Sequence, residues 1–120
     1  MATADIRRAA LIHIKWNIRE GFSFSGTLTD SDDAAVDLSG KELVYSIRDS
    51  QGGTALATLT TTGGEIVVSG ASNNIFTITA ETIEGLLGRA YKYDHDLENT
   101  TDNRMLFDGY LYATYGAHGT

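Results

Sequence analysis

Residues 22–29, FSFSGTLT, alternate strictly between large apolar side chains and small hydroxylic ones, with Gly26 within the run. In an extended chain successive side chains point to opposite sides, so Phe22, Phe24 and Leu28 share one face. Ser23, Ser25, Thr27 and Thr29 share the other. A helix would scatter the same residues around its circumference, so this run must be a strand with one buried face. The same period recurs along the chain. In ALIHIKWNI (residues 10–18), Ile12, Ile14, Trp16 and Ile18 oppose His13, Lys15 and Asn17. In ELVYSIRDS, Leu43, Tyr45 and Ile47 point inward. TALATLTTT, EIVVSG and NNIFTITA follow, the last with Phe76 and Ile78 inside. DSDDAAVDLSG, QGG and GG separate these runs as turns. The chain has 13 glycines and no proline, so its turns rest on glycine.

One segment departs from period two. TAETIEGLLG offers Thr79 or Thr82 as an N-cap, Ile83, Leu86 and Leu87 as an apolar stripe, and Gly88 as a stop. Gly85 limits it to a turn or two of helix. AYKYDHDLE and RMLFDGYLYATY then read as a hairpin around NTTDN. The pattern predicts an all-β antiparallel sandwich of about eight strands with one short helix. It also predicts a single domain over residues 1–120, with an N-terminal arm at 1–9 and a flexible tail at 116–120. Trp16, Phe22, Phe24, Tyr45, Phe76, Tyr93 and Phe107 all fall on apolar faces and are expected to form one inter-sheet core.

Composition excludes several function classes. A net charge of −7 argues against phosphate-based nucleic-acid binding. Without cysteine there is no disulfide framework and no thiolate metal site. No apolar run reaches the ~18 residues of a membrane-spanning helix, and the N-terminal residues do not read as a signal peptide. The sequon at Asn99–Thr101 is read as a chance match.

YKYDHDLEN (91–99) is the densest cluster of titratable groups. On a strand, Tyr91, Tyr93, His95 and Leu97 face one way and Lys92, Asp94, Asp96 and Glu98 the other. The histidine and the acids therefore cannot converge on one ion. His95 is expected in the core or at its rim with one hydrogen bond, and the acids on a solvated face. Pairing Glu98 with Arg104 puts Tyr93 opposite Gly109, Tyr91 opposite Leu111, and Asp94 opposite Asp108. Two facing carboxylates could hold Ca²⁺ or act as a glycosidase pair, against the plainer reading of two screened acids. Asp30, Asp32, Asp33 and Asp37 form a second oxygen-rich stretch and are the candidate Ca²⁺ ligands. The EF-hand spacing is absent, and Asp in such loops often caps its own turn. No phosphate loop, nucleophile elbow or HExxH occurs. No enzyme activity, cofactor or obligatory metal is expected.

The final strand is apolar on both faces. Phe107, Leu111 and Ala113 form one, and Leu106, Tyr110 and Tyr112 the other. Such a strand needs a cover for its second face, either a partner or the chain's own N-terminal segment.

GFSFSGTLTDSDDAAVDLSGKELVYSIRD resembles the N-terminal module of phage baseplate and tail proteins of the baseplate-upper-protein type. Leu28 and Asp30 stand for the L-x-D that ends the first strand, Val36–Gly40 for the D-L-[ST]-G turn, and LVYSIRD for the strand that follows. GRAYKYDHDLE and LFDGYLYAT are similar to the later strands of that module, so the resemblance covers about residues 20–115. The segment 10–18 is additional to it. The resemblance implies an immunoglobulin-like sandwich and a non-enzymatic structural role in a virion, assembled in the host cytoplasm. It implies contacts with other virion proteins and homo-oligomers; from charge and hydropathy, neither nucleic acid nor membrane is expected as partner. Residues 1–18 and the Tyr110/Tyr112 face are expected at a subunit interface, with Ile12, Ile14, Tyr110 and Tyr112 as its residues. A carbohydrate- or receptor-binding module of adhesin type is the alternative.

Overall fold

In the computed structural model, residues 2–6, 10–17, 21–30, 32–49, 53–80 and 91–114 are described. For residues 2–6, 10, 11, 91 and 114 only the backbone is considered. Ten strands run in chain order: β1 (Ala2–Ile6), β2 (Ala10–Leu11), β3 (Ile14–Asn17), β4 (Phe22–Leu28), β5 (Leu43–Arg48), β6 (Ala55–Thr60), β7 (Ile66–Ser69), β8 (Ile75–Ala80), β9 (Tyr91–Asn99) and β10 (Arg104–Thr114). They form two sheets. One has the order β1-β4-β8-β7. The other has β2-β10-β9-β5-β6, with β3 also paired to β10. A four-stranded sheet against one built on the β5, β9 and β10 strands is the layout of an immunoglobulin-type sandwich.

The alternation that predicted the strands decides what they bury. Phe22, Phe24, Tyr45, Phe76, Tyr93 and Phe107 are almost fully buried, and Trp16 joins them in one core with Leu43, Ile47, Ile78, Leu97 and Leu111. Rings from both sheets meet there. Phe24 lies 5.6 Å from Phe107, and Phe22 stacks on Tyr45 at 5.6 Å. Gly26 is the register partner of Phe76, and a Cβ at Gly26 would lie 2.4 Å from that ring. The missing side chain is what lets the ring fold over the strand.

Several features differ from the sequence expectation. The sandwich is not wholly antiparallel, since β1 pairs in parallel with β4, and β2 and β3 pair in parallel with β10. Residues 2–6, expected within an arm, form strand β1. The run 10–18 is broken at Ile12 and His13, where the backbone crosses beside Gly109. Finally, the β9–β10 register is displaced by one residue at Arg104 and Met105 and by two from Phe107 onward. A bulge between Met105 and Phe107 sets Phe107 opposite Leu97, Gly109 opposite His95, Leu111 opposite Tyr93 and Asp108 opposite Asp96. A slip of two keeps every side chain on its face, so the apolar pattern could not reveal it. The bulge also turns Leu106 into the core beside Phe107, leaving it off the outer face where alternation had placed it. Thr79 is a strand residue of β8 rather than a helix cap. The rest of the expected helix, and the expected tail, lie outside the described residues.

Candidate functional site

The outer face of the six-stranded sheet carries the charged and aromatic groups. The register orders them in rows across the strands. Lys15, Tyr112 and Lys92 form one row on β3, β10 and β9. Tyr110, Asp94 and Arg48 form the next, and Asp108, Asp96 and Ser46 the third. A cleft of about 610 Å³ opens over the second and third rows, with Met105 and Gly53 at its margin and His13 beside Tyr110.

The acids and the histidine divide as the strand period requires. Asp94 and Asp96 lie on the outer side of β9 and His95 on its inner side, yet His95, almost fully buried, contributes with Gly109 to the floor of the same cleft. His95 makes two hydrogen bonds where one was expected. Its Nε2 lies 2.7 Å from the Ile12 carbonyl oxygen, and its Nδ1 lies 2.8 Å from the Tyr45 hydroxyl. The carbonyl can only accept, so Nε2 carries the proton and Nδ1 accepts from Tyr45 in the neutral ring. Burial lowers the His95 pKa below its ordinary value, and the bond to Ile12 opposes it only in part. A neutral, doubly bonded imidazole is a structural pin. It ties the β2–β3 crossover to β9 and β5. Gly109 makes room for that crossing: a Cβ there would sit 2.0 Å from the Ile12 oxygen, and its φ is +146°.

The facing acid pair is Asp96 with Asp108, not Asp94 with Asp108. Arg48 reaches Asp96 across β5–β9 at 2.5 Å. Desolvation raises the Asp96 pKa, and Arg48 works against that shift. One of the two carboxylates is therefore neutralised by a guanidinium, an arrangement of an ion pair rather than of a Ca²⁺ site or a glycosidase pair. Arg48 was the residue the sequence reading missed; its signal was its place on the outer side of the strand ELVYSIRDS.

Asp30, Asp32, Asp33 and Asp37 do not converge. Asp30 Oδ1 accepts from the backbone N–H of Asp32 at 2.8 Å and of Ala34 at 3.0 Å. Asp37 Oδ1 accepts from the Ser39 N–H at 2.8 Å, and hydrogen bonding with the Ser39 side chain and backbone lowers its pKa. Asp33 adopts a left-handed turn conformation with φ 63°. These are turn-capping roles, and among the described residues no cluster of His, Asp and Glu is arranged to hold a metal.

Of the four residues expected at an interface, Ile14 is 7% exposed and belongs to the core, and Ile12 packs partly buried against it. Tyr110 is 37% exposed and Tyr112 is half-buried on the outer face. The chain's own N-terminal segment supplies part of their cover. His13 stacks on Tyr110 with ring centroids 5.2 Å apart, and its Nδ1 accepts the Tyr110 backbone N–H at 3.0 Å. Lys92 Nζ stands 4.4 Å over the Tyr110 ring, a cation–π contact. Trp16, the single tryptophan, lies in the core and offers no exposed platform. No protein-family model and no curated protein matches the chain.

Proposed function

We propose that the chain is a non-enzymatic structural protein of a tailed-phage virion, a baseplate, tail or capsid-surface component acting by self-association and by contacts with other virion proteins. The observation that carries this reading is the outer face around Tyr110 and Tyr112. It presents exposed tyrosine on β10, a strand paired on both sides. Tyrosine is enriched where proteins meet. The titratable groups nearby support the same reading, because His95 and Asp96 are each engaged by a partner within the chain. The resemblance of residues 20–115 to the baseplate-upper-protein module supplies the virion setting. Sedimentation at high micromolar concentration tests it: a symmetric oligomer is expected, and a monomer removes self-association from the reading. A carbohydrate- or receptor-binding module is the second reading, favoured by the cleft beside Tyr110. Titration with a glycan panel separates the two, since saturable glycan binding lost in Asp108→Asn would favour the second.

A further inference from the structure

The charges of the outer face are laid out in order along the strands. The row of Lys15, Tyr112 and Lys92 is basic. The rows of Tyr110 with Asp94, and of Asp108 with Asp96, are acidic once Arg48 is engaged by Asp96. Successive rows are two residues apart, or about 7 Å. Lys15 and Lys92 are exposed, and Asp94 and Asp108 are half-exposed. Among the described residues none of these four forms an ion pair. Lys92 is already held in the plane of the face by the Tyr110 ring.

We propose that two copies of the chain meet through this face, about a two-fold axis that crosses the strands between the Tyr110 row and the Tyr112 row. The proposal rests on the self-association reading above and deepens it by naming the surface, the symmetry and the pairs. A two-fold axis lying in the contact plane and running across the strands reverses strand direction and sets each strand over its own copy. The two central rows then exchange. Lys92 comes over the partner's Asp94, and Asp94 over the partner's Lys92. Tyr110 comes over the partner's Tyr112, and Tyr112 over the partner's Tyr110. An isologous contact uses one patch twice, so each attraction is made twice. An axis running along the strands would instead set the basic row against itself, and like charges brought face to face cost several kcal/mol. A head-to-tail contact needs a second, complementary surface. The other sheet does not provide one, because β4, β7 and β8 contain no charged residue and β1 contains a single one, Asp5, so no basic row stands there to meet the acidic rows. The size is adequate. A face five strand positions wide and nine residues long on β9 covers about 600–700 Å², near the ~800 Å² per partner of a standard interface.

Charge reversal in complementary copies is the decisive experiment. Lys15→Glu/Lys92→Glu makes the face acidic throughout, and Asp94→Lys/Asp108→Lys makes it basic in both rows. Circular dichroism and thermal melting establish that each variant folds. In analytical ultracentrifugation the native chain is expected to dimerise, with weaker association at high salt. Each variant alone is expected to lose at least tenfold in affinity, and an equimolar mixture to form a heterodimer at least as tight as the native pair. A native oligomer that both folded variants retain would overturn this geometry and leave self-association standing through another surface. Two monomeric variants that fail to pair would also overturn it. A monomeric native chain would overturn both the geometry and the self-association reading.

Discussion

The two sheets share one core and differ in what they show to water. The four-stranded sheet turns out small, neutral groups from β4, β7 and β8. Ser25 lies beside Thr77 with their hydroxyl oxygens 3.1 Å apart, and the Ser25 hydroxyl donates to the Phe76 carbonyl at 3.1 Å. Those hydroxyls satisfy each other and the backbone, and among the described residues of this sheet Val67, 54% exposed on the β7 edge, is the large apolar group left out. The six-stranded sheet turns out lysines, aspartates, an arginine and two tyrosines, and among the described residues Lys15, Lys92, Asp94 and Asp108 form no ion pair. A face whose polar groups are mutually satisfied closes the molecule, whereas a face with ordered, unspent charges and exposed rings can receive another surface. The contrast places the exposed rings and the ordered charges on one side of the sandwich, the side on which the proposed contacts rest.

The largest expected effects test whether the inner faces are truly shared. Phe24→Ala in the four-stranded sheet and Phe107→Ala in the six-stranded sheet should each cost about 3–5 kcal/mol in denaturant unfolding. A loss below ~1 kcal/mol at either would separate the two sheets energetically and break the comparison at its base.

Next come the two glycines. Gly109→Ala drives a Cβ into the Ile12 carbonyl at a positive φ and should cost about 3 kcal/mol. Gly26→Ala meets only the Phe76 ring, which can shift, and should cost about 1–2 kcal/mol. Equal losses would mean that the crossover at Ile12 is no more constrained than the quiet sheet.

The pH response should belong to the six-stranded sheet. His95 has a folded pKa below its unfolded value of 6.5, so the unfolded chain binds the proton more readily. Stability should be full above pH 6.5 and fall as the pH drops from there toward the folded value. Asp96 acts in the opposite sense at lower pH, because its folded pKa is raised above 3.8. Urea unfolding of His95→Leu should lack the decline that begins below pH 6.5; if that decline persists, the pinned histidine is not its source.

The smallest effects compare the outer faces directly. Arg48→Ala leaves the half-buried Asp96 without its guanidinium and should cost about 1 kcal/mol. Val67→Thr, on the other sheet, should stay within about ±0.5 kcal/mol. A reversed order in thermal melting would contradict the division drawn between the two faces.

Strand faces were legible in the sequence because side-chain alternation is a local property. Phe22, Phe24, Tyr45, Phe76, Tyr93 and Phe107 were assigned inward on that ground and are buried. Registers were not legible. A one-residue offset at Arg104 and Met105, together with the bulge at Leu106, moves Asp108 from Asp94 to Asp96, and the resulting two-residue slip leaves the hydrophobic pattern unchanged. The ion pair of Arg48 with Asp96 depends on the β5–β9 register, set between segments 48 residues apart. His13 was placed on a polar face, but nothing local shows that its ring stacks on Tyr110 nearly a hundred positions later. The turn roles of Asp30 and Asp37 were legible, because an Asx turn is made within a few residues.

The Ile12–His95 bond joins positions 83 residues apart, and among the described residues β2 and β3 pair with β10, which is synthesised long after them. During synthesis at 5–20 residues per second, the Ile12 segment is made roughly 4–17 s before His95. Through that interval it is an edge-forming segment with no edge to join. Any β10 already completed on a neighbouring nascent chain is an equivalent acceptor, as in domain swapping. If the chain self-associates as proposed, the order of translation is therefore expected to make crowding on a polysome, as well as the folded surface, bear on whether it closes on itself or on its neighbour.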